Sequence, residues 1–273
     1  MNILKFIESF TDENFNQAIG SRRDSFGQFK KIGTDFALGA IPFGIGALAL
    51  SSQKSTAATA TVTDTPVSAL QLALTLEYLE NEFYQMGLDS GVIPIANNFG
   101  RDLKVFQQIS QHEASHVQFL IAGLGGTSSA NFVPKPTFDF TVGGAFDPFN
   151  DYQQFLALAQ AFEDTGVRAY KGQAVNLQSA PELLTAALQI HSVEARHASE
   201  VRRLRELKGW ITGNTRGAGM PVQTQATYDG EENIIQAGYN TSTAFGVNAG
   251  TESYDEPMTG AQATAIASLF IVV

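Results

Sequence analysis

The sequence predicts an all-α fold: a four-helix bundle with one long crossover, preceded by an N-terminal leader and followed by an irregular C-terminal extension. Three observations carry this. Between Pro66 and Lys208, four helix-patterned stretches of similar length follow one another. The connections within the first and second pairs are short, whereas the one between the pairs exceeds twenty residues and is rich in Pro, Gly and Phe. A Glu-x-x-His pair recurs on the second and fourth stretches. The boundaries that follow are residues 1–62 for the leader, 63–209 for the bundle and 210–273 for the extension.

Composition leaves room for such a fold and narrows its chemistry. A chain of 273 residues, 44% hydrophobic, can bury a sizeable core. The formal net charge of −10 argues against nucleic acid, whose phosphates call for a basic face. There is no cysteine, so disulfides, zinc–thiolate sites, iron–sulfur clusters and thiol nucleophiles are excluded. Any metal must be held by oxygen and imidazole.

The leader opens with a basic region, Arg22 to Lys31, continues in an uncharged run from Phe36 to Leu50, and reaches Ala58-Thr59-Ala60, a small-residue cleavage pattern. These are the parts of an export signal. Ser21-Arg22-Arg23 resembles a twin-arginine start, although Phe26 comes one residue late and Asp35 intrudes. The expectation is an exported, periplasmic protein. The alternative is a cytoplasmic one that keeps this stretch as an amphipathic helix and a Gly-rich hairpin. The uncharged run, broken by Pro42 and several glycines, is too short for a stable membrane span.

The first bundle helix begins at Pro66, with Leu70, Ala73, Leu74, Glu77 and Tyr84 on one face and Gly87 near its end. The second is expected over about residues 99–124, stopped by Gly125-Gly126. The third is expected over about 148–177, and the fourth over 181–208, ended by Gly209. At 1.5 Å per residue each is about 35–45 Å long, and matched lengths suit a bundle. Beyond Gly209 the chain turns Gly-, Thr- and Asn-rich, then reads as a turn, a short helix opened by Thr259 and an apolar end. This extension is expected to pack on the bundle. It holds no G-K-[ST] or G-x-G-x-x-G pattern, so no nucleotide site is expected.

The chemistry lies inside the bundle. "HEASHV" spaces Glu113 and His116 three apart, and "VEARHA" does the same for Glu194 and His197. Three residues turn a helix by 300°, so each pair projects from one face and can reach one ion. The first helix adds Glu77 within its apolar stripe, and the third adds Glu163 in "AFEDTGVRAY". A carboxylate on a core-facing stripe is costly unless paired or metal-bound. Four glutamates and two imidazoles thus converge, and four negative charges balance two divalent ions. Glu80, one turn from Glu77, is the rival for the first-helix position. His112 and His191 lie outside the pairs, with surface or outer-sphere roles, while Asp164 and Arg196 point away and are expected in salt bridges.

An internal echo points to a pseudo-twofold. Tyr84 follows Glu77 by seven residues and Tyr170 follows Glu163 by seven, about two turns, so each tyrosine shares its glutamate's face. Both tyrosines are expected to hydrogen-bond the ligands, with plain packing as the alternative.

On these residues the stretch from about 66 to 208 resembles the ferritin-like di-metal carboxylate superfamily, which includes bacterioferritin, rubrerythrin and the manganese catalases. "LEYLENEFY" is similar to its first-helix glutamate motif and "FEDTGVRAY" to its third. The resemblance implies Glu77, Glu113, His116, Glu163, Glu194 and His197 as ligands of two Fe or two Mn ions, with Glu113 and Glu194 bridging. Leader, bundle and "YDEP" tail together look most like the ferritin-like domain proteins related to plant desiccation-associated proteins. The activity implied is an oxidoreductase on peroxide, O2 or Fe2+, with Tyr84 or Tyr170 as proton or electron donors. The alternative is a non-catalytic, stress-protective metal-binding bundle. A homo-oligomer is compatible with either, but an iron-storing cage would need room for both the leader and the tail.

Overall fold

The computed structural model describes residues 65–95 and 100–272. The N-terminal leader, with its export signal, lies outside the described residues.

Local chemistry sets each bundle helix. Helix α1 spans Pro66–Ser90. Thr65 caps it by accepting from the Ser68 N–H, the Ser68 side chain answers the Thr65 N–H, and Pro66 supplies a ready-made helical φ at the first position. Gly91, at φ 73°, ends it in the left-handed conformation that glycine takes without strain. Helix α2 spans Arg101–Gly123. Helix α3 spans Tyr152–Gln173 and tightens into a 3-10 turn over Ala174–Leu177. It starts four residues later than the sequence suggested, because Asp151 turns its carboxylate onto the N–H groups of Gln153 and Gln154 as a cap. Helix α4 spans Pro181–Leu204. It stops before Gly209 because Glu206 takes a left-handed φ of 60° and the Leu207 N–H closes back on the Arg202 carbonyl.

The helices pair α1 with α2 and α3 with α4. Cross-contacts fix the directions. Tyr84 meets Glu163 while Tyr170 meets Glu77, so α1 and α3 run antiparallel. Glu113 meets His197 while His116 meets Glu194, so α2 and α4 do too. The apolar stripe of α1 (Leu70, Ala73, Leu74) is buried as the periodicity requires.

The long crossover is itself part of the core. Phe138, Phe140 and Phe146 are buried, and Phe140 packs with Phe83, whose ring stacks on Phe155 at 4.8 Å between centroids. Such ring pairs contribute about 0.5–1.5 kcal/mol each beyond simple burial. The extension crosses the outside of the bundle. It carries a 3-10 turn over Val222–Thr227, a two-residue hairpin (β1, Ile235–Gln236; β2, Tyr239–Asn240), a kinked helix α5 (Ser242–Glu252) and helix α6 (Gly260–Ala267). Thr259 caps α6 through a capping box with Gln262. Phe270 meets Phe162 edge-on at 4.9 Å, and an isolated bridge joins Phe138 to Ile271. The all-α expectation holds. The α5 helix and the small hairpin carry no signal in the sequence, since Gly, Thr and Asn dominate there.

Candidate metal centre

The two Glu-x-x-His pairs and the two stripe glutamates, Glu77 and Glu163, come together at the centre of the bundle. Two groups form. Glu77, Glu113, His116 and Glu194 bring one donor atom each within 4.8 Å of one another, and Glu113, Glu163, Glu194 and His197 do the same. All four glutamates are fully buried, and the His116 side chain is 12% exposed.

Atom by atom, the carboxylates divide into two roles. Glu113 places Oε2 3.0 Å from His116 Nδ1 and Oε1 2.9 Å from His197 Nδ1. Glu194 places Oε1 3.1 Å from His116 Nδ1 and Oε2 3.1 Å from His197 Nδ1. Each therefore offers one oxygen to each half of the site, as a bridging carboxylate must. Glu77 and Glu163 each serve one half. Glu77 Oε2 faces His116 Nδ1 at 3.1 Å, while its Oε1 accepts from the Tyr170 hydroxyl at 2.5 Å. Glu163 Oε2 faces His197 Nδ1 at 3.4 Å, while its Oε1 accepts from the Tyr84 hydroxyl at 2.5 Å. The tyrosines thus bond the glutamate of the opposite helix, not their own. The antiparallel pairing of α1 and α3 sets each ring beside the other helix's carboxylate.

Burial and mutual charge set the electrostatics of the cluster. Burial pushes the Glu163 carboxyl up to about 7, against the His197 contact that lowers it. Burial also raises Glu113 well above the usual carboxylate range, and the Glu194 charge adds to it. Glu194 goes the other way: burial would raise it, but hydrogen bonds from His116 and His197 bring it to about 2. Burial disfavours charge on His197, yet Glu163, Glu113 and Glu194 outweigh it and hold the imidazole at about 12. His116 is raised in the same way, against burial, chiefly by Glu77. Protons here stand where cations fit. Three buried oxygens, Glu113 Oε1, Glu163 Oε2 and Glu194 Oε1, make no well-aligned hydrogen bond among the described residues, although each lies 2.9–3.4 Å from an imidazole Nδ1. A sulfur-free set of four carboxylates and two imidazoles fits a pair of iron or manganese ions.

The remaining sequence candidates fall around this centre. Glu80 lies outside both four-residue groups, although it is also buried. His112 stacks on His197, with its Nδ1 2.9 Å from His197 Nε2, and so is placed to orient that imidazole. His191 leans instead on the Val167 backbone of α3. Asp164 is salt-bridged to Arg202 at 2.5 Å, whereas Arg196 is exposed and makes no ion pair among the described residues. One partner was invisible in the sequence. Tyr228, from the extension, donates to Asp164 Oδ2 at 2.8 Å and is itself fully buried.

No helix among the described residues is long and apolar enough to cross a membrane. No curated protein matches the chain. A family model described as a ferritin-like domain matches residues 65–207, just over half of the chain and the whole of the bundle that holds these six residues. The chain belongs to that ferritin-like domain family.

Proposed function

We propose that the chain is a di-iron or di-manganese carboxylate protein, an oxidoreductase acting on peroxide, O2 or Fe2+ in oxidative or metal stress. The observation that carries this is the split geometry of the site: Glu113 and Glu194 each face both imidazoles, and Glu77 and Glu163 each face one. That geometry suits two ions sharing two carboxylates better than one ion or none. A bound pair would supply one- and two-electron exchange with oxygen species. The protein's own part is to hold the pair close, keep bulk water away through complete burial, and place a hydroxyl proton on the outer oxygen of Glu77 and of Glu163. Burial pushes both tyrosine hydroxyls well above their usual range, with the adjacent carboxylate adding to it, so they stay neutral donors.

Peroxide disproportionation to water and dioxygen needs no outside reductant, which suits a chain with no cysteine to hold a rubredoxin-type donor. A non-catalytic reading, in which metal only joins four helices of a stress-protective bundle, draws on the complete burial of the four glutamates. Peroxide added to metal-loaded protein separates the two. Oxygen evolution or rapid Fe(II) oxidation supports the enzyme, and an inert loaded protein supports the structural reading.

A further inference from the structure

Helices α1 and α3 repeat one pattern about the pseudo-twofold, and three residues after each glutamate the repeat breaks. There α1 carries Glu80 and α3 carries Gly166. Each choice is unfavourable alone. Glu80 is 2% exposed, and burial followed by the charges of Glu163, Glu194, Glu77 and Glu113 drives its carboxyl well above the usual range. No cation or hydrogen-bond donor among the described residues answers it. A buried carboxyl among four others is costly unless something positive compensates. A glycine inside a helix is less favourable than an alanine.

Together the two choices make sense. A β-carbon on Gly166 would stand 3.2 Å from Glu80 Oε1 and 3.6 Å from Glu194 Cγ. The first distance is tighter than ordinary contact, so glycine leaves a notch at the seam of α1 and α3 that the Glu80 carboxylate fills. The notch sets that carboxylate beside Glu194, which faces both halves of the centre.

We propose that Glu80 is a fifth carboxylate ligand of the di-metal centre, seated in the Gly166 notch and present on one side of the pseudo-twofold only. This rests on the di-metal reading above. Five carboxylates carry one more negative charge than two divalent ions balance. The fifth therefore favours a centre in which one ion is trivalent, and makes the two metal positions unequal.

The test compares the full chain with Glu80→Gln, which keeps the shape and removes the charge, and with Gly166→Ala, which keeps the charge and fills its notch. Chelator competition with Mn2+ or Fe2+ reads the affinity of each ion, and a redox titration reads the midpoint potential. We expect Glu80→Gln to bind one of the two ions at least tenfold more weakly, to shift the midpoint to more positive potential, and to be more stable than the parent without metal. Gly166→Ala is expected to weaken the same ion. Parent-like affinity and potential in Glu80→Gln overturn the proposal, as does a loss of metal-free stability, which would mark Glu80 as structural. A parent chain that binds no metal overturns the di-metal reading as well, so the two failures are distinguishable.

Discussion

Glu113 and Glu194 are the residues on which the account turns, because each serves both halves of the centre. Replacing either with alanine is expected to remove both ions at once. Replacing Glu77 or Glu163 should weaken one ion more than the other. Metal content of the purified variants checks both statements, and Glu113→Ala and Glu194→Ala variants that bind as much metal as the parent would contradict them. Tyr84→Phe and Tyr170→Phe each remove one hydrogen bond to a buried carboxylate, with an expected loss of about 1.5–3 kcal/mol by chemical denaturation. At this scale the site was largely legible. An i, i+3 spacing fixes Glu113 with His116 and Glu194 with His197 by helix geometry alone, whatever the tertiary fold. Which of Glu77 and Glu80 faces His116, and the crossing of each tyrosine to the opposite glutamate, depend on how α1 and α3 slide past each other. No single helix encodes that register.

Among the elements, α3 is the one buried nearly all round: every residue from Phe155 to Tyr170 is buried. Its inward side carries Glu163 and Tyr170. Its outward side carries Asp164 and Arg168, which look solvated in the sequence but are covered by the extension. Arg168 donates from Nε to the Glu256 carbonyl and from Nη2 to the Asp229 carbonyl, both at 2.9 Å, and pairs with Glu231 at 2.7 Å. Removing one partner of a buried pair strands the other, so Arg168→Met is expected to cost about 3–5 kcal/mol and to open the extension to limited proteolysis. Gly172 marks the closest crossing, since a β-carbon there would lie 1.8 Å from the Met258 carbonyl oxygen. Gly172→Ala should therefore loosen the same segment without touching the metal ligands. The four bundle helices were legible because amphipathic period, caps and length agree. The helix ends at Asp151 and Leu204, and the path of the extension, were not, because they rest on turn geometry and on partners far along the chain.

For the whole molecule, the unbalanced charge at the centre sets how stability responds to pH and metal. In the metal-free protein Glu163 is raised to about 7 and His197 to about 12. A group whose folded pKa is raised stabilises fully below its unfolded value and loses that contribution as pH rises towards the folded one. For Glu163 the loss runs from about 4.5 to about 7, and for His197 from about 6.5 to about 12. Thermal unfolding of the metal-free chain is therefore expected at lower temperature as pH goes from about 5 to about 8. Metal binding has the opposite slope, because its ligands must lose protons, so the gain in Tm on loading should grow over the same range. Light scattering is expected to give a small assembly rather than a cage, since the extension already covers the outer side of α3. The measurement that bears most directly on the central claim is metal content per chain by mass spectrometry, on protein purified without added metal and again after reconstitution with Mn2+ and Fe2+. Two ions per chain in the parent, with both lost in Glu113→Ala, is the expected result. No bound metal even after reconstitution would contradict the account and leave a helical scaffold with a costly cluster of buried charge.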